Sequence, residues 1–148
     1  MKGDGAGEIT KFEDGKTMIE KIDHIGIAVT NIEEAIRLYA DVFGLKVGEI
    51  ETVEEQKMRV AMISVGESKI ELLQSTDSEG LIAKYIQKRG EGVHHLAFEV
   101  KNIQSALKIL REKGIPLVHE EPRAGFEGTK TAFLHPKATT VLIELVEC

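Results

Sequence analysis

The sequence contains two similar segments, and this internal repeat constrains the fold more than any other feature. Residues 22–38 read IDHIGIAVTNIEEAIRL, and residues 93–109 read VHHLAFEVKNIQSALKI. Aligning His24 with His95 sets an offset of 71 (95 − 24 = 71). Further positions match at that offset: Val29 with Val100, Asn31 with Asn102, Ile32 with Ile103, Ala35 with Ala106, and Ile36 with Leu107. The chain therefore predicts two copies of one folding unit.

The similarity continues to the end of each segment. Gly44 and Gly114, an offset of 70 (114 − 44 = 70), are both placed as helix C-caps. Further along, the sequence KIEL at 69–72 matches LIEL at 142–145, so that Glu71 aligns with Glu144. Each half thus carries a histidine near its start and a glutamate near its end.

Local patterning predicts the elements of the first half. Residues 24–29 alternate in the manner of a strand, and Asn31 is a plausible N-cap with Glu34 in the capping-box position. A helix is expected over 33–42, ending near Gly44. Three strands then follow at 46–52, 57–65 and 69–74, which makes the first half a βαβββ unit.

The second half is expected to repeat this order after a short amphipathic helix at 81–88. We predict its first strand at 93–100, its helix at 103–113, its later strands at 117–120, 130–134 and 140–146, and a loop at 125–128. The predicted fold class is α+β, with two tandem βαβββ modules paired around a pseudo-twofold axis and sheets curved around a metal-binding cleft. The predicted organisation is a disordered tail at 1–17 and one domain at 18–148, made of module 1 at 18–76, a bridging helix at 77–90 and module 2 at 91–148.

Pairing of the two halves brings equivalent polar residues to one cleft. His24 and His95 belong to first strands, and Glu71 and Glu144 belong to last strands, among apolar neighbours where a lone charge is costly. Two imidazoles and two carboxylates suit a divalent ion such as Co²⁺, Mn²⁺, Zn²⁺, Ni²⁺ or Fe²⁺. The alternative is that both histidines are hydrogen-bonded core residues and both glutamates face solvent. His94 is expected to point to the opposite face from His95, in a structural or supporting role.

Composition excludes several classes of protein. The net charge of −6 argues against a nucleic-acid surface, and no apolar run approaches the roughly 20 residues of a membrane span. The single cysteine, Cys148, allows no internal disulfide, and the first residues lack the apolar region of a signal peptide. We expect a cytoplasmic protein with neither nucleic-acid nor membrane partners.

The paired pattern IDHIGIAV with KIELL, then GVHHLAFEV with VLIEL, resembles the vicinal oxygen chelate superfamily. Its members fold as paired βαβββ modules. Within it, the bridge IAKYI at 82–86, the segment GEGVHHLAF and the run FLHPK at 133–137 are similar to those of the methylmalonyl-CoA epimerases. The resemblance covers residues 19–147.

The resemblance implies an isomerase that interconverts the two configurations at C2 of methylmalonyl-CoA. It implies a divalent metal, most often cobalt, on His24, His95 and Glu144, with Glu71 as fourth ligand. It also makes a homodimer plausible, together with the apolar positions Leu81, Ile82 and Tyr85, which are expected to be exposed.

Inversion at C2 usually needs an acid/base group on each face of the plane. Some relatives place a catalytic glutamate on the third strand of the first half, but here MRVA at 58–61 offers no carboxylate. Glu55, beside Gln56 at the entrance of that strand, is our candidate, and a solvated acidic loop is the alternative. Glu144 is the candidate for the other face of C2. Phosphates of CoA need cations at the rim of the cleft, and the candidates are Arg123, Lys130 and Lys137.

Two other functions remain open at this point. A glyoxalase-type isomerase or an extradiol dioxygenase would use the same fold with related metal ligands. A binding module built from the same duplicated unit would sequester a small ligand without turnover.

Overall fold

Eight strands form one sheet in the computed structural model, which describes residues 17–148. The strands are β1 (Ile19–Ala28), β2 (Glu51–Val53), β3 (Met58–Val65), β4 (Ser68–Ser75), β5 (Gly92–Val100), β6 (Arg123–Ala124), β7 (Lys130–Phe133) and β8 (Leu142–Glu147). The helices are α1 (Ile32–Arg37), α2 (Leu81–Arg89) and α3 (Ile103–Glu112). The predicted α+β class is confirmed.

The strand order is β2-β3-β4-β1-β5-β8-β7-β6, which reads as two matching halves that meet at β1 and β5. β1 pairs with β5 in antiparallel fashion, and each of them pairs in parallel with the last strand of its own half. The register also repeats, because His24 lies opposite Lys69 and His95 lies opposite Leu142. This arrangement is consistent with the predicted pseudo-twofold axis.

The N-termini of α1 and α3 are held by equivalent side chains. Asn31 accepts a hydrogen bond from the Glu34 amide, and Asn102 accepts one from the Ser105 amide. In addition, Gln74 on β4 accepts from the Ile32 amide. Glu147 on β8 accepts from the Ile103 amide in the same way. Each helix is thereby tied to the last strand of its own half through amides that a helix cannot satisfy internally.

The helices cover both faces of the sheet. α1 packs against β1, β3 and β4 through Ile32, and α3 packs against the second half through Ile103, Ala106 and Leu107. α2 instead packs through Ile82 on Ala28 and Leu73, which strand alternation places on the opposite face. That face of β1 is the one that presents His24.

Several predicted elements differ from those observed. The strand expected at 46–52 is reduced to β2 and an isolated bridge at Val47. The strand expected at 117–120 is reduced to a bridge at Leu117, and the two-residue β6 lies beyond its predicted end. Both lie at the outer edges of the sheet, where short strands are common. The tail predicted at 1–17 lies outside the described residues except for Thr17. No helix in the described part of the chain is long and apolar enough to cross a membrane.

Candidate metal centre

Four side chains meet between β1, β4, β5 and β8. The Nε2 atoms of His24 and His95 lie 3.1 Å apart. Glu71 Oε1 is 3.4 Å from the His24 Nε2 atom and 3.3 Å from the His95 Nε2 atom. Glu144 Oε1 is 3.2 Å and 3.3 Å from the same two atoms. We call His24, Glu71, His95 and Glu144 the four-residue cluster.

The ligand atoms of His24, Glu71 and His95 all lie within 4.8 Å of one another, as donors around a single ion do, and Glu144 adjoins this group through both Nε2 atoms. Ligand atoms at about 2.0–2.2 Å from one divalent ion lie roughly 3 Å from their nearest neighbours. The donor set, two imidazole nitrogens and two carboxylate oxygens, also suits a borderline divalent metal. The residues present therefore fit the group that the sequence predicts, and their role as ligands stays a prediction.

Burial makes the charges of the cluster interdependent. His24, His95 and Glu144 are each at least nine-tenths buried. Burial acts to lower the pKa of His95, but its hydrogen bonds to Glu144 and Glu71, together with the negative charges of those two carboxylates, outweigh burial and raise the pKa to about 9. Burial acts to raise the pKa of Glu144, but hydrogen bonds from His24 and His95 lower it to about 2. Without a cation, a proton on His95 therefore offsets the negative charge of Glu144.

The other ring nitrogen of each histidine contacts the residue that precedes it in the chain. His24 Nδ1 is 2.7 Å from Asp23 Oδ2, and His95 Nδ1 is 2.9 Å from His94 Nδ1. His94 was expected on the opposite face from His95, and this prediction is wrong. The register between β1 and β5 shifts at both places, so that Asp23 and His94 are extra residues in β-bulges and depart from strict alternation.

Space for the His95 ring depends on Gly26. A Cβ atom at Gly26 would lie 2.2 Å from His95 Cε1, which is far inside van der Waals contact. Phe133 meets the same ring edge to face at 5.7 Å between centroids. The ring is therefore confined by β1 on one side and by β7 on another.

The proposed base and the proposed CoA contacts lie outside the cluster. Glu55 is exposed on the 3₁₀ turn Glu54–Gln56, and its carboxyl has no hydrogen-bond or ion-pair partner within residues 17–148. Arg123 lies on β6, where its Nη1 donates to His119 Nε2 over 2.7 Å. Lys130 begins β7, and Lys137 lies on the turn Pro136–Ala138.

The structure corrects one expectation about exposed residues. Ile82 was expected to be exposed, but it is buried in the contact between α2 and the sheet. Tyr85 packs edge to face on His94 and donates from its hydroxyl to the Val93 carbonyl. Leu81 is exposed, as expected.

Asp23 contacts a cluster histidine although the sequence pattern does not place it there. It is 7% exposed, and its second oxygen lies 4.0 Å from Lys69 Nζ. The signal was present, because the repeat aligns Asp23 with His94 immediately before each cluster histidine. Strict alternation predicts the opposite position, since in a regular strand the Asp23 side chain would point away from the cleft.

Comparisons with known proteins agree with this fold. A sequence model of the Glyoxalase/Bleomycin resistance protein/Dioxygenase superfamily matches residues 23–133. An uncharacterised Bacillus subtilis protein is 38% identical over 87% of this chain and 93% of its own length. The mitochondrial methylmalonyl-CoA epimerase of Mus musculus is 35% identical, over 84% of this chain and 71% of its own. A solved methylmalonyl-CoA epimerase in complex with methylmalonyl-CoA and NH₄⁺ superposes with a TM-score of 0.80 at 37% identity, covering 87% of this chain and 94% of that chain.

Proposed function

Since the chain belongs to the glyoxalase/bleomycin resistance protein/dioxygenase superfamily, we propose that it is an epimerase that interconverts (2R)- and (2S)-methylmalonyl-CoA. Relatives and solved structures named methylmalonyl-CoA epimerase support an epimerase activity. The observation that carries the proposal is the four-residue cluster, in which both imidazoles contact both carboxylates within 3.4 Å.

His24, Glu71, His95 and Glu144 would hold one divalent ion, and we propose Co²⁺, with Mn²⁺, Ni²⁺, Zn²⁺ or Fe²⁺ as substitutes. The chemistry that such an ion supplies is Lewis-acid polarisation of the thioester carbonyl, whose oxygen gains negative charge as the C2 proton leaves. The chain supplies the imidazole nitrogens and carboxylate oxygens that would bind the ion. Because both histidines present Nε2 to the cluster and engage Nδ1 elsewhere, their orientation is set before any ion binds.

Proton transfer needs one group on each face of C2. We propose Glu55 and Glu144 as these groups: one removes the C2 proton, and the conjugate acid of the other returns a proton to the opposite face. Glu144 is also one of the four proposed metal ligands, so its carboxylate would be shared between coordination and proton transfer. Glu55 is therefore the stronger candidate for abstraction.

The test is incubation with one epimer of methylmalonyl-CoA in D₂O. We expect inversion together with deuterium uptake at C2. Glu55→Gln should lower the rate of both by about 10²-fold or more. Glu54→Gln removes a neighbouring charge from the same turn and should leave the rate near that of the unaltered protein. Absence of both uptake and inversion would rule out the epimerase.

Metal content tests the centre separately. We expect one equivalent of divalent ion per chain after reconstitution, and its loss in His24→Ala. His135→Ala removes a histidine outside the cluster and should leave the metal content unchanged. Equal metal content in His24→Ala and His135→Ala would contradict the ligand assignment.

We propose that the phosphates of CoA are bound by Arg123, Lys130 and Lys137.

We also propose that the protein is a cytoplasmic homodimer. An exposed apolar group on one helical segment is suited to contact with a second copy, and it consists of Leu38, Val42 and Phe43. Light scattering during gel filtration tests the dimer, with Val42→Lys expected to favour monomers.

A further inference from the structure

Each strand at the centre of the sheet contains a bulge directly before its cluster histidine. On β1, Ile22 and His24 oppose the consecutive residues Phe98 and Ala97, so that Asp23 is extra. On β5, His95 and Val93 oppose the consecutive residues Gly26 and Ile27, so that His94 is extra. The two bulges are equivalent in the repeat (94 − 23 = 71).

The bulges bring neighbouring side chains into contact that a regular strand would separate. The chemistry of the two contacts differs. Asp23 is a carboxylate that can only accept, which fixes the proton on His24 Nδ1 and leaves the Nε2 lone pair for the cluster. His94 is an imidazole that can donate or accept, so that its contact with His95 does not by itself select one tautomer.

The surroundings of the two partners strengthen this difference. Asp23 keeps a second oxygen within 4.0 Å of both Lys69 Nζ and Cys148 Sγ, which anchor the carboxylate. His94 is held by its edge-to-face contact with Tyr85, at 4.9 Å between centroids, and this contact restrains the ring without choosing a proton position.

We propose that Asp23 and His94 each position a cluster histidine, but with different effects. The Asp23 carboxylate fixes the proton on His24 Nδ1 and so makes His24 a strong metal ligand. The His94 imidazole permits either proton position on His95 and so makes His95 a weaker and more adaptable metal ligand. This inference rests on the proposed metal centre. The His95 ring itself stays confined by Gly26 and Phe133, so what can change at His95 is the position of the proton on the ring, whereas His24 keeps its proton on Nδ1.

The test is Zn²⁺ affinity of the full chain, measured by competition with a chelator. Asp23→Asn keeps the shape but loses the charge, and we expect affinity to fall by about 10- to 100-fold. His94→Asn should lower it by less than about threefold, and His94→Asp should raise it. Glu99→Gln is the matched control, because its carboxylate lies within 4.8 Å of that of Asp23 yet is not hydrogen-bonded to His24. It should change affinity little.

Proton NMR of the Zn²⁺-loaded protein separates positioning from general stability. The His24 Nδ1 proton should be far downfield and slow to exchange, and Asp23→Asn should move that signal alone. In His94→Asp, the His95 Nδ1 proton should move towards the position of the His24 signal.

Equal losses of affinity in Asp23→Asn and His94→Asn would overturn the inference, as would an effect of Glu99→Gln as large as that of Asp23→Asn. If the unaltered protein binds no Zn²⁺, the proposed metal centre fails and the inference fails with it. Normal binding that Asp23→Asn leaves unchanged overturns the inference alone. Should Asp23→Asn not fold, His94→Asp decides, because unchanged affinity and an unchanged His95 proton signal would contradict the proposed role.

Discussion

The two halves place different residues opposite their equivalent histidines. His24 lies opposite Ala97, and His95 lies opposite Gly26, which occupies the position equivalent to Ala97 (97 − 26 = 71). The methyl group of Ala97 is tolerated beside His24, whereas a Cβ at Gly26 would overlap the His95 ring. A single methyl group therefore distinguishes two positions that the repeat makes equivalent.

We predict that Gly26→Ala displaces His95 and weakens Zn²⁺ binding by about 10- to 100-fold, since a ligand moved by a side chain's width no longer faces the other three. Stability should fall by about 1–3 kcal/mol through overpacking. Chelator competition measures the first effect, and urea unfolding measures the second.

Ala97→Gly provides the matched control at the equivalent position. It should lower the free energy of unfolding by about 1 kcal/mol, through backbone entropy, without changing metal affinity. A Gly26→Ala protein with unaltered affinity would show that the His95 ring does not depend on that space.

The helical segment of the first half, formed by α1 and the turn that follows it, contains one more residue than the equivalent segment of the second half, which begins with α3. The Leu45 amide donates a hydrogen bond to the Tyr39 carbonyl, while the equivalent Ile115 amide donates one to the Leu110 carbonyl. The offset between the halves changes from 71 to 70 across this stretch (110 − 39 = 71; 115 − 45 = 70). The extra residue coincides with the π-helical turn Leu38–Val42 that follows α1. A single insertion into an α-helix is accommodated in this way.

Deletion of Asp41 should therefore convert the π-helical turn into an ordinary α-helical turn like the end of α3. Asp41 is exposed, and the residues on either side keep their positions, so we expect the free energy of unfolding to change by less than about 1 kcal/mol. Urea unfolding and circular dichroism provide the measurement.

Deletion of the exposed Lys108 from α3 is the corresponding control. That helix has no extra residue, so the deletion rotates Leu107 and Ala106 relative to the residues that follow, and a loss of roughly 2–5 kcal/mol is expected. Similar losses from both deletions would contradict the assignment of the extra residue.

The internal repeat is sufficient to predict the α+β class and the convergence of the two halves. Equivalent residues must meet when two copies pair, so that His24, Glu71, His95 and Glu144 could be named together. Their role as metal ligands stays a prediction, as do the roles of Glu55 and the domain boundaries.

The parts that the sequence did not predict depend on long-range geometry. The bulges at Asp23 and His94 arise from pairing between β1 and β5, which local alternation cannot reveal. The edge strands near Val47 and Leu117 are shorter than predicted because few neighbours support them. Burial of Ile82 follows from where α2 docks on the sheet, and the amphipathic pattern of that helix does not specify its partner.

The charges of the cluster should lower the stability of the metal-free protein at both alkaline and acid pH. The pKa of His95, about 9, lies above its ordinary value of 6.5, so its contribution is present below pH 6.5 and is lost as pH rises towards 9. The pKa of Glu144, about 2, lies below its ordinary value of 4.5, so its contribution is present above pH 4.5 and is lost as pH falls towards 2. Stability should be greatest between these limits.

We predict that the metal-free protein loses a few kcal/mol of unfolding free energy between about pH 6 and pH 9, and that Zn²⁺ reverses this loss. Metal binding displaces the imidazole protons, so the stabilisation by Zn²⁺ should grow as pH rises. Urea unfolding at several pH values, with Zn²⁺ and with chelator, provides the measurement. His95→Gln should flatten the alkaline dependence, while His135→Gln should leave it intact. An alkaline loss that persists in His95→Gln would assign the pH dependence to groups outside the cluster.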